Sequence, residues 1–298
     1  MRITNNVMIE RSIRNINSAF QRYQMMQEQV GSGRRINRLS DDPHGAAKAV
    51  RLRSALRGAD QHKKNAENAS TEITAYDDTL DKIGNILNRT RELVVRAGTD
   101  SVTPTERQAI AVEVGQLFEE VVQSANSMHN GQYMFAGHQG MEPPFEVLGN
   151  PPTGVIYRGD AGKNTVEVGP GVVLSPNLTG DEVFVNGVNL FDTFLTVENH
   201  LKNDNVQGLS GSDLSAVDAA MDKVLRFRAE LGGKGNRLEL VINRLDSDKV
   251  SLTELLSKTE GVDFTEAVMR LSEQEIVYHA ALAAASKSVQ SGLLQYLR

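Results

Sequence analysis

Proline placement constrains this chain most. Six of its eight prolines lie between Pro143 and Pro176, and the other two are Pro43 and Pro104. A proline inside a helix removes a backbone hydrogen bond and clashes with the preceding turn. Long helices are therefore open to the chain on both sides of one window and closed within it. The 298 residues divide into a helical part, a non-helical part and a second helical part, long enough together to bury a core.

The helical parts carry narrow apolar seams. Ile9, Ile13, Ile16, Phe20 and Tyr23 follow alternating steps of 4 and 3, and Val30 lies one heptad further on. That alternation belongs to a helix packed on a partner as a coiled coil. Gly31-Ser-Gly33 weakens this helix, and Ser40-Asp41-Asp42-Pro43 offers N-caps and a first-turn proline for the next one. The second seam runs through Ile73, Tyr76, Leu80, Ile83, Leu87 and Val94. Pro104, with Thr103 or Thr105 before Glu106, opens a third helix that returns antiparallel to the second.

After Asp213 the period returns with Leu214, Val217, Met221, Val224 and Leu231. Gly232-Gly-Lys-Gly235 is expected to interrupt that helix before Leu238, Ile242 and Leu245, and Gly261 to end it. The last helix carries Phe264, Val268, Leu271, Tyr278, Leu282, Ala285, Val289 and Leu293, with Glu275 as a polar residue on the seam. Between the helical parts, short β-prone runs at 155–157, 165–168, 172–174 and 183–185 alternate with Pro, Gly, Asn and Asp.

The expected fold is mainly α: a long antiparallel coiled-coil bundle from the N- and C-terminal parts, with a small β-rich domain inserted in the middle. Residues 1–42 form an N-terminal assembly helix that pairs with a C-terminal one at 262–298. Residues 43–136 and 212–261 form the helical core, and 137–211 the insertion. A two-helix terminal pair leaves apolar edges, so its core is expected to be completed by other subunits.

Catalytic and cofactor signatures are missing. The chain has no Cys, so disulfides, thiolate metal sites and a Cys nucleophile are excluded. Its six His show no metal-ligand spacing, and no phosphate-binding or nucleophile-elbow motif occurs. Asp41-Asp42 reads as helix capping. The expectation is a non-enzyme with no cofactor or metal. Met1 to Glu10 lacks a secretory h-region, and no apolar run spans a bilayer, so no membrane partner is expected. Net charge is −6, yet Met1 to Glu72 holds 13 Lys and Arg against 7 Asp and Glu. Arg34, Arg35 and Arg38 read as a solvated helix face or, less simply, a contact for an acidic partner. A coiled-coil nucleic-acid adaptor would need a basic stretch continuous with its heptads, and Gly31 and Gly33 interrupt it; no nucleic-acid partner is expected.

Several stretches resemble the flagellin family. Gly31-Ser-Gly-Arg-Arg-Ile-Asn37 with Ser40-Asp-Asp-Pro43 is similar to its N-terminal segment. Arg228-Ala-Glu-Leu-Gly, Asn236-Arg-Leu-Glu239 and the ending Ser291-Gly-Leu-Leu-Gln-Tyr-Leu-Arg298 are similar to its C-terminal segment. Gly131-Gln-Tyr-Met-Phe-Ala-Gly137 with Pro143-Pro-Phe145, and 263–285, look more like the hook–filament junction members than the filament flagellins; His138-Gln139 departs from that pattern. The resemblance implies an extracellular flagellar subunit, exported by the flagellar type III system with a dedicated chaperone. It implies a junction ring of copies of itself between hook-associated protein 1 and flagellin, with filament flagellin as the alternative. Inner-tube assembly contacts are then expected at Ile13, Ile16, Phe20, Leu282, Val289, Leu293 and Leu297. Arg34, Asn37, Asp41, Asp42, Asn236 and Arg237 are expected at the hinge and intersubunit surface.

Overall fold

The structure, a computed structural model, describes residues 5–99 and 101–296. Helix α1 spans Asn5–Ser32, α2 Pro43–Ala97 and α3 Pro104–Ala125. Three two-stranded antiparallel hairpins follow. They pair β1 (Met128–His129) with β2 (Gln132–Tyr133), β3 (Phe145–Leu148) with β4 (Gly154–Tyr157), and β5 (Val166–Gly169) with β6 (Val172–Leu174). A π-turn at Asp181–Val185 leads to α4 (Leu190–Lys202). The short α5 (Val206–Gly208) passes through a second π-turn into α6 (Leu214–Glu260), and α7 (Phe264–Tyr296) closes the described chain. The architecture is the mainly α one expected, with the small β region in the middle.

Two compact units emerge, one from residues 59–247 and the other from 1–58 together with 248–298. In the first, α2 and α6 lie antiparallel, and ion pairs record their register. Lys63 meets Asp246 at 2.6 Å, Arg228 meets Asp77 at 2.9 Å and Asp81 at 2.6 Å, and Arg91 meets Asp218 at 2.6 Å. Position rises on one helix as it falls on the other. Between them the expected α2 seam is buried from Ile73 through Tyr76, Leu80, Ile83 and Leu87 to Val94. Helix α3 begins as its residues require. Thr103 accepts from the Glu106 amide, Glu106 answers the Thr103 amide, and Pro104 fills the first turn.

The hairpins share this core. Phe135, Phe145, Phe184 and Phe191 pack mostly edge to face, with Phe184 5.1 Å from both Phe135 and Phe145 and Phe191 5.0 Å from Phe145. Tyr76 of α2 and Phe118 of α3 join the cluster at 5.2 and 6.4 Å. Aromatic burial, worth more per residue than aliphatic burial, is thus concentrated where regular elements are shortest.

Two expectations fail here. Residues 183–185 form no strand; they lie in the π-turn, where the Asn186 amide donates to the Asp181 carbonyl at 2.7 Å. Val183 and Phe184 are both fully buried, which the alternating faces of a half-buried strand do not permit. Gly232-Gly-Lys-Gly235 does not interrupt its helix, because α6 is continuous from Leu214 to Glu260. Leu231 and Leu238 are buried on either side of the glycines, and packing of this face outweighs the low helix propensity of glycine.

In the second unit α1 and α7 run antiparallel. Tyr278 of α7 lies 6.0 Å from Tyr23 and 5.4 Å from Phe20, and Arg22 Nε donates to Gln274 Oε1 at 3.3 Å. The side chains turned toward α7 are Ile9, Ser12, Ile16, Ala19, Tyr23, Met26 and Val30. On α7 the facing set is Ala267, Leu271, Gln274, Tyr278, Ala281 and Ala285. The polar seam position is therefore Gln274; Glu275 is exposed.

Candidate assembly interface

The seam of the terminal pair is narrower than the apolar surface of its helices. Helix α1 carries two apolar rows side by side. Helix α7 takes the row of Ser12, Ala19 and Met26, leaving Ile13 52% and Phe20 39% exposed. Phe20 contacts Tyr278, the ring centroids 5.4 Å apart. Leu282 is 39% exposed and Ile276 67% exposed, and Phe264 and Met269 are exposed as well. Ile9, Ile13, Ile16, Leu282 and Ala285 line one open apolar groove. Three of the expected assembly residues, Ile13, Ile16 and Leu282, are thus brought together, and Phe20 lies on the same helix face. The side chains of Val289 and Leu293, and Leu297 altogether, fall outside the described residues.

Burial is sparse throughout this unit. Among its described residues the buried apolar side chains are Ala19, Ile36, Ala46, Ala49 and Ala267, four of the five being alanines. The contiguous core lies elsewhere, running from Ala66 to Leu238. An alanine buries little area, and apolar burial is worth about 25 cal/mol per Å². Two long helices ordered at about 1–2 kcal/mol per residue gain little in return from such contacts.

The link after α1 crosses the link before α7. Gly33 turns the chain with φ +67°, a left-handed conformation that glycine adopts without a Cβ clash. The Arg35 amide then donates to the Glu260 carbonyl at 2.7 Å, and the Val262 amide to the Gly33 carbonyl at 3.2 Å. Glu260 is buried, and its carboxylate meets Arg34 Nε at 3.5 Å and also Arg53. Arg35 meets Asp42 at 3.3 Å and Arg38 meets Glu28 at 3.2 Å. Each of the three clustered arginines has a carboxylate within its own chain, so no acidic partner is needed to explain them.

Asp41 Oδ2 accepts from the Asn37 and Arg38 amides at 3.1 and 2.8 Å, fixing the turn before α2. Asp42 caps α2: Oδ1 accepts from the Gly45 amide at 2.9 Å and its carbonyl from the Ala46 amide at 2.8 Å. The Gly45 N–H, with Arg35 nearby, holds the Asp42 carboxyl below the usual carboxylate range. Arg34, Asn37, Asp41 and Asp42 therefore form one local cluster, which the sequence signalled by capping residues and glycine. Asn236 and Arg237 are not in it; they are exposed on α6 in the other unit. Sequence reasoning missed Glu260 and Arg53, which are distant in the chain and carry no local motif.

Residues 3–140 match the bacterial flagellin N-terminal helical region, and residues 214–297 match the bacterial flagellin C-terminal helical region. The chain belongs to the flagellin family. This flagellin-family chain is 27% identical to a flagellin of Bacillus subtilis over the full length of both chains. It is 25% identical to flagellar hook-associated protein 3 of Escherichia coli, covering 95% of this chain and 96% of that one. In fold it is similar to hook-associated protein 3 of Legionella pneumophila, with TM-score 0.64 and 16% identity over 70% of this chain and 97% of that chain. FlgL of Bacillus cereus is similar at TM-score 0.60 and 22% identity, over 70% and 99% of the two chains. Among the described residues no group of three His, Asp or Glu could hold a metal ion, and no helix is long and apolar enough to cross a membrane.

Proposed function

We propose that this flagellin-family protein forms the junction ring between the flagellar hook and the filament. Its terminal helices, 1–42 and 262–298, are the assembly elements; neighbouring copies cover the apolar row that α7 leaves open. Hook-associated protein 1 lies on one side of the ring and flagellin on the other. The chain reaches that place by flagellar type III export, with a chaperone over the C-terminal seam. Arg34, Asn37, Asp41 and Asp42 set the hinge, and Asn236 and Arg237 belong to the intersubunit surface. No catalysis enters this role.

The carrying observation is the exposure of Ile13, Phe20 and Leu282 along a terminal pair that buries mainly alanine. The full-length similarity to hook-associated protein 3 of Escherichia coli supports the junction reading. The full-length similarity to Bacillus subtilis flagellin favours a second reading, a filament subunit. Polymerisation of the purified protein separates them. A junction protein is expected to give no long filaments, and a strain lacking it to keep its hooks while releasing flagellin into the medium. Long filaments from the purified chain would replace the first reading by the second.

The contact row is tested by Ile13→Asp. A carboxylate in a buried contact costs several kcal/mol, so incorporation should stop while the far-UV circular dichroism of the monomer is retained. Normal incorporation of the variant would remove Ile13 from the interface.

A further inference from the structure

A cleft of about 370 Å³ lies in the unit formed by residues 59–247, between α2 and the β1–β2 hairpin. The assembly role makes no use of it. Asn68 and Glu72 line it from α2, Asn130, Gln132 and Tyr133 from the hairpin, and Asn164 from the loop before β5. The hairpin is held in shape at both ends. Asn130 and Gly131 turn it with φ of 51° and 79°, the signature of a two-residue hairpin turn. At its base, the Tyr76 hydroxyl donates to the Met134 carbonyl at 2.5 Å.

Glu72 is half-buried at the side of this cleft. Among the described residues no hydrogen bond or ion pair reaches its carboxylate, and the charge it senses is that of His129. Tyr76 cannot answer it, because its proton is spent on Met134. Desolvation lifts the Glu72 carboxyl above the usual range. A carboxylate drawn partly out of water with no partner is costly, and a cation would offset that cost. The surrounding side chains are amides, and none of those of Asn68, Asn130, Gln132 and Asn164 is spent on another part of the protein. Their oxygens accept hydrogen bonds. A guanidinium offers five donors, no acceptor and a planar fork that fits a carboxylate. A metal ion fits poorly, since one carboxylate and one imidazole are the ligands present. A sugar would leave the charge unanswered.

We propose that this cleft receives an arginine side chain from another polypeptide, with its guanidinium on the Glu72 carboxylate, flanking amide oxygens completing the shell and the Tyr133 ring beside it. The chemistry is independent of the junction reading and stands or falls separately. The titratable groups facing Glu72 are Tyr76 on α2, His129 on β1 and Tyr133 on β2. Binding is expected to tighten as pH rises, because the Glu72 carboxyl, held above the usual range by desolvation, gains its charge.

The test uses the full-length chain and N-acetyl-arginine amide, followed by NMR of the side-chain amides of Asn68, Asn130, Gln132 and Asn164. The expected result is a set of saturable shifts in the millimolar range, with weaker binding of N-acetyl-lysine amide and no binding of methyl glucoside. Glu72→Gln is expected to weaken binding about tenfold, a factor set by the loss of one charge-assisted contact. Gln132→Ala, at an exposed position, is expected to weaken it less and serves if the first variant does not fold. Absence of saturable shifts, equal binding of the glucoside, or unchanged binding in either variant would overturn the proposal.

Discussion

Lys223 shows how a single side chain can couple the fold to pH. It is buried in the unit of residues 59–247, and Nζ donates to the Asn186 and Val188 carbonyls at 2.6 and 2.9 Å. Those bonds hold the chain between the first π-turn and α4. Burial, with Arg226 adding to it, pushes the ammonium down to about 8. The unfolded chain titrates near 10.4. Between those two values the unfolded state keeps a proton the folded state has released, so stability rises with pH, by at most about 1.4 kcal/mol per unit. Below that window the cost of burying the charge is fully present. The urea midpoint of the natural chain should therefore rise relative to that of Lys223→Met between about pH 8 and about pH 10. Parallel midpoints would show that Lys223 keeps an ordinary proton affinity. Glu260 is the counterpart in the other unit, a buried carboxylate under Arg34 and Arg53. Glu260→Gln keeps the shape and removes the charge. It should lower local stability by about 1 kcal/mol, read as faster hydrogen exchange at the Arg35 amide.

Among the elements, α6 offers the sharpest contrast between local propensity and packing. A Cβ placed on Gly232, Gly233 or Gly235 meets nothing within 4 Å. Because α6 is continuous there, Ala at each position should stabilise the unit by about 0.5–1 kcal/mol. A lower thermal midpoint in the triple variant would show that the glycines serve a bend. The same element explains what could be read in advance. The α2 seam was legible because Ile73 through Val94 is covered along its length, and caps such as Thr103 with Glu106 are local by nature. The α1 seam was only half legible. Ile9, Ile16 and Tyr23 face α7, but Ile13 and Phe20 lie at the open edge of the pair and stay largely exposed, although Phe20 reaches Tyr278. Periodicity shows that a helix has apolar rows and not which row a partner chooses, and small Ser12 and Ala19 gave no apolar signal for a close approach. The shift from Glu275 to Gln274 has the same origin. The cluster before α2 was legible for Asp41 and Asp42, which cap locally. It was not for Glu260, whose partners are far off in sequence.

For the whole molecule, the uneven distribution of burial is the central fact. One unit closes an aliphatic and aromatic core from Ala66 to Leu238, and the other is held mainly by alanines, one buried carboxylate and a helix pair with an open groove. Stability should divide accordingly, since local opening costs little where few apolar contacts are lost. Deleting 1–42 or 262–298 is expected to abolish assembly and to leave the unit of residues 59–247 folded. The most direct measurement is hydrogen exchange by mass spectrometry on the dilute monomer and on the assembled flagellar structure. The account requires fast exchange in α1 and α7 of the monomer, slow exchange in the same helices after assembly, and slow exchange of α2 and α6 within 59–247 in both. Slow exchange of α1 and α7 already in the monomer would contradict it.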